Sequence, residues 1–255
     1  MKLKQLIPGA VVAAAGLIGA LLLRGSALAE NAASTMKLCY SLSLIALVVG
    51  VALAATGFVP KRQKVSTREL AMAAMFAALC YIGFAYLRID IPVGTEKTAF
   101  HLGNVFVVLA ALFLGGFWGG MSGAVGLTLA DLTSGYVTSA PKTFLLKLCI
   151  GLIAGAVAHG VFHISREKVS GKRLIGATVA SCTAGMAFNV VADPVVGFFY
   201  KTYVLGVPQD AAKIWAKIGA MTTLVNAVIA VAAAGVLYLA LRPALEKSRL
   251  MPHID

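Results

Sequence analysis

The stretch AFHLGNVFVVLAALFLGGFWGGMSGAVGLTLA, from Ala99 to Ala130, carries no formal charge and is too long for one membrane crossing, because about 20 apolar residues span a bilayer as a helix. Gly115, Gly116, Gly119 and Gly120 around Trp118 supply a tight reversal near its middle. The stretch therefore predicts a helical hairpin, Ala99 to Leu114 and Phe117 to Leu132. Comparable apolar runs on either side predict spans over Leu6 to Leu23, Leu38 to Val59, Leu70 to Leu87, Thr143 to Ile164, Leu174 to Phe199 and Ile214 to Leu241, about eight spans in all. Composition agrees with an all-α integral membrane protein. Of 255 residues 60% are hydrophobic, the mean hydropathy is +0.89, and only 13% are charged, where a soluble domain carries about 25%.

The formal net charge is +12, yet the basic residues sit in short clusters between apolar runs, as orientation signals do, and not in a nucleic-acid-binding stripe. Lys2 and Lys4, then Lys61, Arg62, Lys64 and Arg68, then Arg166, Lys168, Lys172 and Arg173, then Arg242, Lys247 and Arg249 mark every second connection. By the positive-inside rule these segments are cytoplasmic, and so are both termini of a multi-pass protein of the cell membrane. The organisation expected is an amino-terminal transmembrane hairpin (1–60), a basic cytoplasmic linker (61–69), a six-helix membrane domain (70–241) and a cytoplasmic tail (242–255). The first apolar segment also resembles a secretory signal, with Ala27-Leu28-Ala29 as a cleavage site, although Arg24 interrupts the approach to it.

Ionisable and strongly polar groups inside a membrane are costly and mark function by default. With this orientation Asn104, Asp131, Tyr136, Lys142, Lys147, Asn189, Asp193 and Asn226 fall at or near the outer ends of their helices, and Asn189 and Asp193 share one helix face. His101, Lys217, Thr222 and Thr223 lie at similar depth. Individually these residues could pair among themselves, or the lysines could snorkel to the interface. Their collective placement instead describes a cup that opens outward over an apolar inner half, not a pore with polar lining throughout. Tyr136, Phe144, Phe198, Tyr200 and Trp215 near the rim would either stack on a ring-shaped ligand or form an interfacial belt.

Nothing points to an enzyme, a metal or a cofactor. His159 and His163 have ligand spacing but lack the glutamate of H-E-x-x-H and any third ligand. Cys39, Cys80, Cys149 and Cys182 stand singly in apolar segments. No G-x-x-x-x-G-K-[ST] loop occurs, so the chain is not expected to hydrolyse ATP itself, and any energy must come from a partner or a gradient.

The first helix of the core block, RELAMAAMFAALCYIGFAYL, carries the overlapping small-residue pairs Ala73 with Ala77 and Ala74 with Ala78, which allow close helix approach in lipid. This A-x-x-x-A pattern, the string HLGNVFVVLAALFLGGFWGGMSGAVGLTLADLTSGY (His101 to Tyr136) and the following APKTFLLKLCIGLIAG together resemble the S components of energy-coupling factor (ECF) transporters, of the riboflavin, pyridoxine and hydroxymethylpyrimidine type. The likeness covers roughly Ser66 to Leu241. It implies a six-helix fold that binds a vitamin or vitamin precursor at its outward side and associates with a T subunit and two cytoplasmic ATPases, toppling in the membrane to deliver its ligand. It further implies that Ala73, Ala74, Ala77 and Ala78 dock the T subunit, and that Asn104, Asp131, Tyr136, Lys142, Asn189 and Asp193 stand where family ligands are held. The amino-terminal hairpin departs from the minimal six-helix pattern. The alternative is a self-sufficient transporter that couples to protons through Asp131 or Asp193.

Overall fold

The computed structural model describes residues 10–12, 14–19, 67–94, 96–165, 169–248 and 251. The expected spans Leu6 to Leu23 and Leu38 to Val59 lie outside these residues, apart from helical positions 10–12 and 14–19, as do linker residues 61–66. From Thr67 onward the described residues form α1 (Thr67–Ala85), β1 (Arg88–Val93), β2 (Glu96–His101), α2 (Gly103–Leu114), α3 (Gly116–Thr133), α4 (Ala140–Gly155), α5 (Gly171–Phe199) and α6 (Gln209–Lys247). A 3-10 turn, Val137–Ser139, leads into α4, while wider π turns, Ala156–Val161 and Tyr200–Val204, end α4 and α5.

Four of these stretches are long and apolar enough to cross a bilayer: Thr67–Ala85, Val137–Val161, Gly171–Val204 and Gln209–Lys247. The chain is a membrane protein, but the expected hairpin of two full crossings needs correcting. Helix α2 has 12 residues, about 18 Å at 1.5 Å per residue, against a hydrocarbon core of about 30 Å. It is buried along its length, with Phe106 alone half-exposed. A helix that is apolar on every side belongs in a core, and α2 is packed by α1, α3, α4 and α6. The residues Ala99 to His101, expected to open this span, belong instead to β2.

The strands were hidden because an apolar run does not by itself separate strand from helix. In Arg88-Ile89-Asp90-Ile91-Pro92-Val93, polar and apolar side chains nevertheless alternate nearly as a half-buried strand requires. Gly94, at φ 61°, turns the chain, and β1 pairs antiparallel with β2 in the register Arg88 to His101 through Val93 to Glu96. The purely helical class is thus amended by a small β-hairpin at the end of α1.

The glycines around Trp118 also do something other than reverse the chain. Only Gly115, at φ 81°, makes the turn between α2 and α3. Gly116 and Gly120 lie in α3 against Gly155 and Gly151 of α4, where an added Cβ would run into the opposing backbone. Gly119 likewise meets the backbone of Ala110 and Ala111 in α2. Such small-residue seams let helices approach closely where lipid supplies no hydrophobic drive.

The α1 stripe is divided between two faces. Ala73 is buried and its carbonyl accepts the Ser122 hydroxyl of α3 at 2.9 Å. The Ala77 carbonyl packs against Gly126. The four alanines expected on one docking face thus point two ways: Ala73 and Ala77 pack against α3, whereas Ala74 and Ala78 are exposed beside Leu70, Met75 and Ile82. The first residues of the expected tail are helical, because α6 continues to Lys247, and Arg242 is buried within it, paired with Glu246.

Candidate functional site

The hairpin caps one end of the bundle, and beneath it lies a cavity of about 150 Å³. Its walls come from every major element: Phe84 of α1; Lys97, Thr98, Ala99 and His101 of β2; Asn104 in the first turn of α2; Leu127 and Asp131 near the end of α3; Lys142, Thr143 and Lys147 in the first turns of α4; Asn189 and Asp193 of α5; and Trp215, Thr222, Thr223 and Asn226 of α6. Tyr136 and Lys201 complete the rim. All eight polar residues expected from their depth in the sequence, Asn104, Asp131, Tyr136, Lys142, Lys147, Asn189, Asp193 and Asn226, line this one cavity. Of the aromatic candidates, Tyr136 and Trp215 do so, whereas Phe144, Phe198 and Tyr200 are not among the lining residues.

Three kinds of polar side chain can be separated by what they touch. The first kind fastens the scaffold. Asn226 accepts the His101 amide hydrogen through Oδ1 and donates from Nδ2 to the Ala99 carbonyl, both at 3.0 Å, so one amide side chain of α6 substitutes for a neighbouring strand along β2. Pro194, in the helix interior, has no amide hydrogen to give the carbonyl four residues earlier, a place where helices bend. This lies beside Asp193 on the cavity wall.

The second kind is internally paired. Lys142 donates to Asp193 Oδ1 at 2.7 Å, and Thr223 donates to Oδ2 at 2.8 Å. This joins α4, α5 and α6 across the cavity. The pairing explains how a carboxylate and an ammonium are tolerated at this depth, since buried charges require partners and hydrogen bonds.

The third kind is left wanting. Asn104, Asp131 and Asn189 are buried, and each retains one side-chain oxygen without a hydrogen-bond partner among the described residues. A buried unsatisfied polar group costs about 1–3 kcal/mol, so three on one cavity lining are not there for packing. Lys147 is also buried and makes no ion pair or hydrogen bond among the described residues, its electrostatic neighbours being Asp193, Lys142 and Asp131.

A polar latch holds the hairpin over the cavity. Arg88 donates to Asp90 and to the Ser134 hydroxyl at 2.8 Å each, Lys97 reaches Asp90 at 3.3 Å and the Ser134 carbonyl at 3.1 Å, and the Tyr136 hydroxyl donates to Asp90 at 2.9 Å. Lys97 also lies over the Tyr136 ring. Burial opposes ionisation of Asp90, but the hydrogen bonds from Tyr136, Arg88 and Lys97 outweigh it and hold its carboxyl below the ordinary carboxylate range. Burial, followed by the hydrogen bond to Asp90, pushes the Tyr136 phenol up, so it stays a donor.

Sequence reasoning named the helical contributors and passed over most of the hairpin's. Lys97 and His101 occupy alternate positions on β2, and recognising the strand would have set them on one face. His101 accepts the Gly103 amide hydrogen at Nδ1, so a neutral ring carries its proton on Nε2. Phe84, which lies edge-on to both His101 and Tyr136, had no polar signal to mark it.

A family model described as ECF-type riboflavin transporter, S component, matches residues 64–243. No curated protein and no solved structure matches the chain.

Proposed function

The chain belongs to the family of ECF-type riboflavin transporter S components, a vitamin-type substrate-binding subunit of a transporter in the membrane, and on that premise we propose that the cavity beneath the hairpin is its substrate site. The observation that carries this reading is the gathering of buried Asn104, Asp131 and Asn189, each with an unsatisfied oxygen, on one cavity lining. Substrate groups would satisfy atoms that the fold leaves without partners, while Phe84, Tyr136 and Trp215 offer ring surfaces.

In this reading the hairpin end faces outward and both termini face the cytoplasm, which the clustering of basic residues supports. Substrate enters past the latched hairpin. A T subunit and two ATPases supply the energy, because the sequence holds no phosphate-binding loop of its own. The T subunit docks along the exposed side of α1, on Ala74 and Ala78 flanked by Leu70 and Ile82. Asp193 is a poor proton carrier for a self-sufficient transporter, because Lys142 and Thr223 both hold its carboxylate.

The test is to extract the small molecule carried by purified protein and identify it by mass spectrometry, then to measure uptake in vesicles with and without T and ATPase subunits. The reading expects a stoichiometric ring-containing molecule and uptake only with the full assembly. Uptake by this chain alone that collapses with the proton gradient would replace it with the proton-coupled alternative.

A further inference from the structure

We propose that the substrate is a single-ring carboxylic acid that bears an amino, hydroxyl or ring N–H donor, with its carboxylate seated at Lys147. The proposal rests on the reading of the cavity as the substrate site and adds the class of molecule that fits there. Riboflavin, which the family model names, is uncharged and has three fused rings with a polyol chain.

Size is the first ground. A cavity of about 150 Å³ is that of an engineered void that takes up benzene. It accommodates one ring with small substituents.

Charge is the second. Four lysines and two aspartates line the cavity. Lys142 is neutralised by Asp193 at 2.7 Å, and Lys97 lies 3.3 Å from Asp90. Lys147 differs, being buried on the same lining with no hydrogen bond or ion pair among the described residues. Asp193, the carboxylate with the strongest influence on Lys147, already accepts from Lys142 and Thr223. A buried ammonium that makes no direct ion pair inside a membrane bundle is costly, and a substrate carboxylate reaching Nζ lowers that cost with a charge-assisted hydrogen bond.

Asp131 sets the donor requirement. It too lacks an ion pair among the described residues and keeps Oδ2 unpartnered. An anion placed alone beside this carboxylate would be repelled, whereas an acid that also offers an N–H or O–H satisfies Lys147 and Asp131 together. Phe84 and Trp215 flank the space in which the ring would lie.

The full chain in detergent is titrated with 3- and 4-aminobenzoate, 3- and 4-hydroxybenzoate and orotate, each against its carboxamide, and with riboflavin. The acid and amide of each pair share shape and differ in charge. At least one acid is expected to bind ten-fold or more tightly than its amide, and Lys147→Met to abolish that preference. Equal binding of acid and amide across all pairs in the unmodified protein would overturn the proposal, whether or not the variant folds. So would a preference that survives in Lys147→Met. Tight binding of riboflavin with no acid bound would also overturn it, while leaving the importer reading intact. Failure of that reading is seen separately, as purified protein carrying no small molecule and uptake that needs no ATPase.

Discussion

The two ends of the bundle solve the same packing problem in opposite ways. Away from the hairpin, glycine pairs bring the α3 and α4 backbones together, Gly151 against Gly120 and Gly155 against Gly116, and the rings of Phe113 and Tyr238 pack 4.7 Å apart. Under the hairpin the same helices hold a cavity open with long polar side chains that pair across it. Polar atoms occur at both ends, since Tyr238 Oη and Arg242 Nη1 are also buried without hydrogen-bond partners among the described residues, but those two are not part of the cavity lining. What distinguishes a site from a packed core is thus not the number of polar groups but whether they surround space.

The largest expected effect breaks the closely packed end. Gly151→Leu puts a bulky side chain into the Gly120 backbone, and overpacking costs about 3 kcal/mol or more where backbone must move. Thermal unfolding in detergent should show loss of a folded monomer. A variant as stable as the parent would mean that α3 and α4 are not sealed there.

Next in size is the paired wall. Asp193→Ala leaves Lys142 in a half-buried site without its carboxylate, and breaking a buried pair costs about 3–5 kcal/mol, which solvent access at this site reduces. Lys142→Met with Asp193→Leu should recover most of that stability and none of the ligand retention. Recovery of retention would show that the pair serves structure alone.

The legibility of the sequence divides along the same line. Apolar runs disclosed the membrane class, and polar groups placed at depth pointed to Asn104, Asp131, Lys147 and Asn189, which line one cavity, because lipid makes every intramembrane polar group informative. The hairpin stayed unread because β2 joins directly to the apolar run of α2, and an uncharged sequence reads as continuous helix. The glycine seam was misassigned for a related reason: glycine serves turns and close packing equally, and only φ and the opposing backbone separate the two. The depth of Asn226 was readable, but its role was not, since fastening Ala99 and His101 depends on a strand the sequence did not announce.

Two smaller effects sharpen the hairpin side of the comparison. Asn226→Ala removes two hydrogen bonds to β2, a loss of about 1–2 kcal/mol, and should speed hydrogen exchange at the His101 amide, whose hydrogen Asn226 accepts, while leaving α2 protected. Unchanged exchange would show that the latch alone holds the hairpin. Asp90→Asn weakens the latch by less than about 1 kcal/mol, as for a solvent-exposed ion pair. Because the Asp90 carboxyl is held below its ordinary value of 3.8, its contribution is complete above that value and disappears as pH falls through the lowered folded-state one. Hairpin protection should therefore stay level from neutral pH down to about pH 5 and decline only in stronger acid. A decline centred near neutrality would assign the latch to another group.

The most direct measurement fills the cavity. Asn189→Leu replaces a buried amide with a side chain of similar size that offers no hydrogen bond, and the small molecule retained by purified protein is then quantified by mass spectrometry against the unmodified chain. The account predicts a folded protein that has lost its ligand. Retention of the same molecule at the same stoichiometry would place the substrate elsewhere.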